Sequence, residues 1–191
     1  MTEQNALIPR ALSHIAWGNL LILLDFSLNR LDVLPNWVGY LLIFYAIGWL
    51  AGELRDLPLL RPFCTLLLLA ELADWVAVFL TGEALTGRLF LVNALLVCVS
   101  LYFHFQLLGD LAGLAGRREE AGPLARRLRT CRNVDAVTRV LARLLAWLPG
   151  PETLLTALAA LLVITGLVVC IIIAHDLFAL RRFFPEDEGA T

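Results

Sequence analysis

Lysine is absent from the 191-residue sequence, and charge of either sign is scarce. Charged residues make up 17% of the chain and apolar residues 60%, with a mean hydropathy of +0.79. An average soluble domain carries about a quarter charged residues and under half apolar ones. The composition therefore excludes a disordered chain, a strongly basic nucleic-acid-binding protein and a water-soluble globule, and it favours a polytopic membrane protein.

Recognisable catalytic and cofactor motifs are also missing. The four cysteines form no C-x-x-C pair, so neither a redox dithiol nor a zinc ribbon is indicated. The sequence contains no glycine-rich phosphate loop, no H-E-x-x-H and no G-x-S-x-G. Ser100, His104 and Asp110 share one helix, on which they point in different directions and cannot converge. We therefore expect a non-enzymatic protein without a cofactor.

Long apolar runs predict an all-α fold, a single integral membrane domain over residues 1–191. About 20 residues cross a bilayer as a helix, and five runs approach that length. The predicted spans are about 11–28, 37–52, 62–80, 89–108 and 154–174, followed by an acidic tail over 185–191.

The segment 117–148 has a different pattern, with apolar and cationic stripes at helical spacing. Its cationic stripe consists of Arg129, Arg132, Arg139 and Arg143. We expect this amphipathic helix to lie in the inner interface, with its arginines on anionic phospholipid head groups. Two alternatives are a docking surface for a cytoplasmic partner and a helix packed onto the bundle. A sixth crossing would cost about 2.5–3.5 kcal/mol for each arginine placed at the bilayer centre.

The distribution of arginine predicts sidedness, because positively charged loops stay in the cytoplasm. The N-terminus and segment 117–148 are accordingly expected inside. Five crossings then place the C-terminus outside, where Arg181 and Arg182 oppose the rule.

Glu71 and Asp74 are carboxylates near the middle of the third predicted span, where charge is expensive. Their i, i+3 spacing puts them on one helical face. Together with Asn19 and Asn93 they are the candidate site for a small solute or a proton. The alternative is that they hydrogen-bond to polar groups on neighbouring spans and only stabilise the bundle.

A second polar group is expected at the outer face. Asp25, Asn29 and Asp32 share a side if the first helix continues through them, and Arg30 lies between them. His175 and Asp176 should reach the same depth from the last span. These residues could form an interfacial salt-bridge cluster, a ligand-entry site or a metal site. Their spacing fixes no coordination geometry for a metal.

The stretch Trp17–Asp25, followed by Leu31-Asp-Val-Leu-Pro-Asn-Trp-Val-Gly-Tyr-Leu-Leu-Ile43, resembles a family of small bacterial multi-spanning membrane proteins. In that family an aspartate-bearing first span leads through D-[IVL]-L-P-[DN] into G-Y-[IL]-L-I. The resemblance covers about 55 residues and implies no catalytic residue. It implies a bacterial inner-membrane location and one structural unit formed by Asp25, Asp32, Pro35 and Gly39.

Three functions are consistent with the sequence. The first is a binding or transport module for a small solute or proton, or the membrane subunit of one, similar in size and hydropathy to the substrate-binding subunits of energy-coupling-factor vitamin transporters. Those subunits usually have six spans. The second is a regulatory or assembly protein acting through its Arg-rich helix, and the third is an intramembrane enzyme. The expected partners are the bilayer and either a second copy or another membrane subunit, but no nucleic acid.

Overall fold

The computed structural model describes residues 3–23, 27–28, 31–32, 36–83, 85, 89–145 and 147–184. Within these residues the predicted all-helical fold is confirmed, apart from one short hairpin. The elements are α1 (Glu3–Leu23), β1 (Ser27–Leu28), β2 (Leu31–Asp32), α2 (Asn36–Leu50), α3 (Arg61–Thr81), α4 (Phe90–Gly116), α5 (Gly122–Leu145) and α6 (Glu152–Arg181). Short 3₁₀ turns over Leu57–Leu60 and Glu119–Ala121 precede α3 and α5.

The helix boundaries follow local chemistry. Helix α1 begins eight residues before the predicted span and contains Pro9. Proline has no backbone N–H, so α1 lacks one helical hydrogen bond at Pro9, in its second turn. Helix α3 ends at Thr81 and is capped by Gly82, which has a φ of 78° and whose amide donates to the Val78 carbonyl. A left-handed residue at this position is the common way to end a helix, and glycine adopts it without strain.

Consecutive helices pack antiparallel, and α6 returns to pack on α1, so the six helices form a closed ring. Cys64 of α3 donates to the Tyr40 carbonyl of α2, and Arg181 of α6 donates to Ser13 of α1. One end of the bundle therefore holds the start of α1, the turns before α3 and α5, and the end of α6. We call this the arginine end, because it carries Arg10, Arg55, Arg61, Arg117, Arg118, Arg126, Arg127, Arg181 and Arg182.

Three helices are long and apolar enough to cross a membrane: Leu57–Thr81, Phe90–Gly116 and Glu152–Arg181. Leu7–Leu23 and Asn36–Leu50 are shorter apolar helices. The 15 residues of α2 rise about 23 Å, less than the roughly 30 Å of a hydrocarbon core. Many large apolar side chains face outward on these helices, including Leu91 and Val163. These features are consistent with a membrane protein. Length and composition support three crossing helices among the described residues, so the five predicted crossings are not confirmed.

The amphipathic segment packs along the bundle, the arrangement given above as the second alternative to a position in the membrane interface. Helix α5 packs lengthwise between α4 and α6. Its first turns contact the end of α4 through Ala125 and Gly116, and Trp147, just beyond its last turn, contacts Phe90 at the start of α4. Thr138 meets Gly166 of α6 midway. The apolar stripe of α5 is therefore used in part for packing on protein.

The end of α6 lies at the same end of the bundle as the start of α1. The prediction placed the end of the chain opposite its start, but Arg181 reaches Ser13 and Trp17 packs edge-on against Phe178. Because α5 adds one more pass along the bundle, α6 runs back to the arginine end. Arg181 and Arg182 thus lie with the other arginines and no longer oppose the distribution of positive charge.

The first connection is a hairpin and not a continuation of helix. Helix α1 ends at Leu23, and in the antiparallel hairpin Ser27 pairs with Asp32 and Leu28 with Leu31. Asp32, which was predicted to share a helical face with two other polar residues, therefore lies in a strand. Asp25, Asn29, Arg30 and Pro35 lie outside the described residues.

Candidate binding cavity

A cavity of about 690 Å³ lies between α3, α4 and α5, with Tyr40 of α2 at one wall. Most of its lining is apolar. Its polar lining residues are Tyr40, Glu71, Asp74, Asn93, Cys98, Ser100, Arg139 and Arg143. Ligand sites are generally concave, mostly apolar and equipped with a few polar groups, and the volume is within their usual range of roughly 300–1,000 Å³.

The acidic wall of the cavity is formed by Glu71 and Asp74 of α3. One helical turn separates them, and both line the cavity. Asn36, at the first turn of α2, donates through Nδ2 to Glu71 Oε2 at 3.4 Å. The neighbouring helix therefore helps to orient this carboxylate.

The basic wall is formed by Arg139 and Arg143 of α5, again one turn apart. Asp135 accepts a hydrogen bond from Arg139 Nε at 2.8 Å, in an i, i+4 ion pair on the same helix. Because Asp135 holds the Nε edge, it positions the guanidinium of Arg139. The cavity thus carries charges of opposite sign on two helices that are not neighbours in the ring.

His104 supports the wall formed by Tyr40 and Ser100. The imidazole is 2% exposed, and its Nδ1 donates to the Ser100 carbonyl at 2.8 Å. Its ring meets Tyr40 edge-on, with centroids 6.1 Å apart. This histidine is packed within the bundle and fixes neighbouring lining residues without lining the cavity itself.

Of the four residues predicted for the solute site, the structure brings together Glu71, Asp74 and Asn93. Asn19 is not among the lining residues. Its Nδ2 donates to the Ile15 carbonyl at 2.9 Å, and its own carbonyl accepts from Cys170 Sγ. Asn19 therefore contributes to the packing of α1 against α6, because the face of α1 that carries it is turned towards α6.

Of the predicted outer polar cluster, the structure describes only Asp32, His175 and Asp176, and it does not bring the last two to the hairpin that contains Asp32. His175 and Asp176 lie near the arginine end, whereas the β-hairpin follows the opposite end of α1. Asp176 has no exposed side-chain surface, and its Oδ1 lies 3.0 Å from Arg127 Nη2 and 3.4 Å from His175 Nδ1. The residues described by the structure include no group of three or more His, Cys, Asp or Glu that could hold a metal ion.

The four arginines predicted to contact lipid head groups do not form one surface. Arg139 and Arg143 line the cavity, and the Arg132 guanidinium lies 4.0 Å from the centre of the Phe105 ring on α4. Arg129 is exposed in the third turn of α5, closer to the arginine end. Sequence reasoning thus missed the basic wall, although the i, i+4 spacing of Arg139 and Arg143 was visible.

Comparison of the chain with protein-family models, with curated proteins and with solved structures gave no match. The chain is an all-helical protein with three helices able to span a membrane and a charged cavity between α3, α4 and α5.

Proposed function

We propose that this protein is a non-enzymatic membrane protein that binds a small polar solute in the cavity between α3, α4 and α5, as a transporter or as the membrane subunit of one. The observation that carries the proposal is the common position of Glu71, Asp74, Arg139 and Arg143 around one space large enough for a ligand. Ionisable residues at membrane depth are costly, and they are usually kept for a ligand or ion.

The proposal includes a topology. All six helices stand across the bilayer of a bacterial inner membrane, and the arginine end faces the cytoplasm. This arrangement follows the positive-inside distribution for every arginine at that end. It requires α5 to cross as a sixth segment, in place of the five crossings expected from the sequence.

The cost of inserting α5 is reduced by the contacts of its arginines. Arg139 is paired with Asp135, and both Arg139 and Arg143 face the cavity. Arg132 stacks on Phe105, a geometry worth about 0.5–2 kcal/mol. Arg129 lies near the cytoplasmic end, from which a long side chain can extend to the head groups. None of these four guanidinium groups is therefore left in hydrocarbon without a polar or aromatic environment.

Cys98 provides a test, because it is an exposed thiol that lines the cavity, whereas Cys64, Cys131 and Cys170 are buried. In reconstituted vesicles, a charged, water-soluble methanethiosulfonate should modify Cys98. Cys98→Ser should reduce labelling to background. Leu95→Cys, in the Cys98→Ser background, places a thiol on the outward face of the same helix. This face meets lipid in the proposed topology, so a water-soluble reagent should react with the thiol slowly.

The charges of the two walls should determine whether Cys98 reacts faster with a cationic or with an anionic reagent. Glu71→Gln with Asp74→Asn should lower the rate with a cationic reagent relative to an anionic one. Arg139→Gln with Arg143→Gln should shift the ratio in the opposite direction. If Cys98 reacts no faster than the thiol of the Leu95→Cys control, the cavity does not admit water-soluble molecules and the proposed function is wrong.

A further inference from the structure

We infer that the cavity takes a zwitterion, a molecule that carries one cationic and one anionic group on a partly apolar body. The inference rests on the proposed function and specifies its ligand class. Glu71 and Asp74 would hold the cationic group, and Arg139 and Arg143 would hold a phosphate or carboxylate.

The first argument is the separation of charge by sign. Both lining carboxylates belong to α3 and both lining guanidinium groups to α5, with α4 between these helices in the ring. The i, i+3 and i, i+4 spacings make each pair project from one face of its helix. A ligand therefore meets a negative wall and a positive wall, and not four interspersed charges.

The second argument is charge balance. Two carboxylates and two guanidinium groups line the cavity, and Asp135 adds one carboxylate behind Arg139, so both signs of charge are present in similar number. A ligand with a single charge would make a favourable contact with the wall of opposite sign only, and it would repel the other wall. A zwitterion replaces the attraction between the walls with two charge-assisted contacts, which are stronger than neutral hydrogen bonds. It leaves neither wall uncompensated in a low-dielectric region.

The third argument is the preference of arginine for planar or tetrahedral oxyanions, which its forked donors bind in a bidentate manner. Asp135 occupies the Nε edge of Arg139 and positions that guanidinium. The remaining lining includes Leu67, Leu96, Leu101, Val140 and Leu144, which suit a hydrocarbon portion. The shared ligand chemistry is an amine with a phosphate or carboxylate, supplied either by a lipid head group or by a free molecule.

Protection of Cys98 from alkylation tests this chemistry with defined probes. For the free source, phosphoethanolamine is compared with ethanolamine and with inorganic phosphate, each of which carries only one kind of charge. For the lipid source, the labelling rate is compared between vesicles containing phosphatidylethanolamine and vesicles of phosphatidylglycerol. We expect saturable protection in one of these arms, with a rate reduction of about tenfold or more, because two charge-assisted contacts are gained.

The variants decide whether both walls hold the ligand. Neutralising the acidic wall (Glu71→Gln, Asp74→Asn) or the basic wall (Arg139→Gln, Arg143→Gln) should each abolish protection, whereas Arg126→Gln, on the same helix outside the cavity, should not. Continued protection of the buried thiols of Cys64, Cys131 and Cys170 from the reagent shows that the fold persists in every variant. Arg143→Lys should retain partial protection.

Three results would overturn the inference. They are equal protection by a singly charged probe, dependence on only one wall, and no protection in either arm while Cys98 still reacts with water-borne reagents. Each of these results leaves a water-accessible cavity, so the proposed function would stand. An unreactive Cys98 would instead contradict the proposed function.

Discussion

Arg127 Nη2 lies 3.0 Å from Asp176 Oδ1, so a fully buried carboxylate of α6 is neutralised by a guanidinium of α5. The pair joins the two helices whose placement differs most from the sequence-based expectation. A buried charge without a partner costs several kcal/mol. The pair therefore explains how Asp176 can be buried between α5 and α6.

Removing the guanidinium of this pair should destabilise the protein. Arg127→Met leaves the carboxylate of Asp176 buried without its cation, and we expect a loss of about 1–3 kcal/mol. This range is below that of a fully buried pair, because the Arg127 side chain is 54% exposed and partly screened by solvent. The free energy of unfolding in mixed micelles measures the effect.

Arg126→Met is the matched control for this prediction, because it removes the neighbouring exposed guanidinium. The double variant Arg127→Met with Asp176→Asn should recover part of the loss, since neither charge remains. Equal stability of the Arg127→Met and Arg126→Met proteins would show that the ion pair does not hold α5 on α6.

A second prediction concerns the contact between α1 and α2. A Cβ on Gly18 would lie 2.7 Å from the Gly39 carbonyl oxygen, and a Cβ on Gly39 would lie 2.7 Å from the Gly18 carbonyl oxygen. Gly18→Ala or Gly39→Ala must therefore push the two backbones apart. Such overpacking costs about 1–3 kcal/mol, which should appear as a lower unfolding temperature.

Two other glycines calibrate this effect. Gly113→Ala in α4 meets nothing within 4 Å and should be neutral or stabilising by up to about 1 kcal/mol. Gly48→Ala meets the guanidinium of Arg61 at 2.7 Å, a flexible group that can move, so its cost should be smaller than that of Gly18→Ala. If all four substitutions behave alike, the close approach of α1 and α2 is not important for stability.

The third prediction is that both termini lie on the same side of the membrane. Reporters fused to the start and to the end of the chain should both be active in the cytoplasm, because Arg181 and Ser13 are in contact. A reporter inserted at Gly150, at the other end of the bundle, should report the opposite side. Termini found on opposite sides would restore the five-crossing topology and exclude α5 as a crossing segment.

The fourth prediction concerns the contact between Asn36 and Glu71. Asn36→Asp replaces the donating amide with a second carboxylate and should weaken the packing of α2 on α3 through like-charge repulsion. The unfolding temperature should fall, and adding Glu71→Gln should restore it. A fall that Glu71→Gln fails to relieve would mean that the repulsion does not involve this pair.

The acidic half of the cavity was visible in the sequence, and the basic half was not interpreted correctly. Glu71 and Asp74 stand out because they interrupt an apolar run, and their spacing places them on one helical face. Arg139 and Arg143 were equally visible, but an arginine stripe has the same spacing whether it faces lipid phosphates or a cavity in protein. Asn19 is a polar residue in an apolar span, but this pattern does not specify which neighbouring helix its side chain faces.

Composition and helical periodicity were enough to establish an all-helical chain with membrane-length apolar segments, and to identify the two carboxylates that needed an explanation. These features depend on local sequence, because a helix satisfies its own backbone hydrogen bonds. The return of α6 to the arginine end, the position of α5 between α4 and α6, and the cavity with opposed charges depended on the fold. They are set by which helix faces meet, and contacts between residues distant in the chain, such as Arg127 with Asp176, leave no periodic signal in either segment.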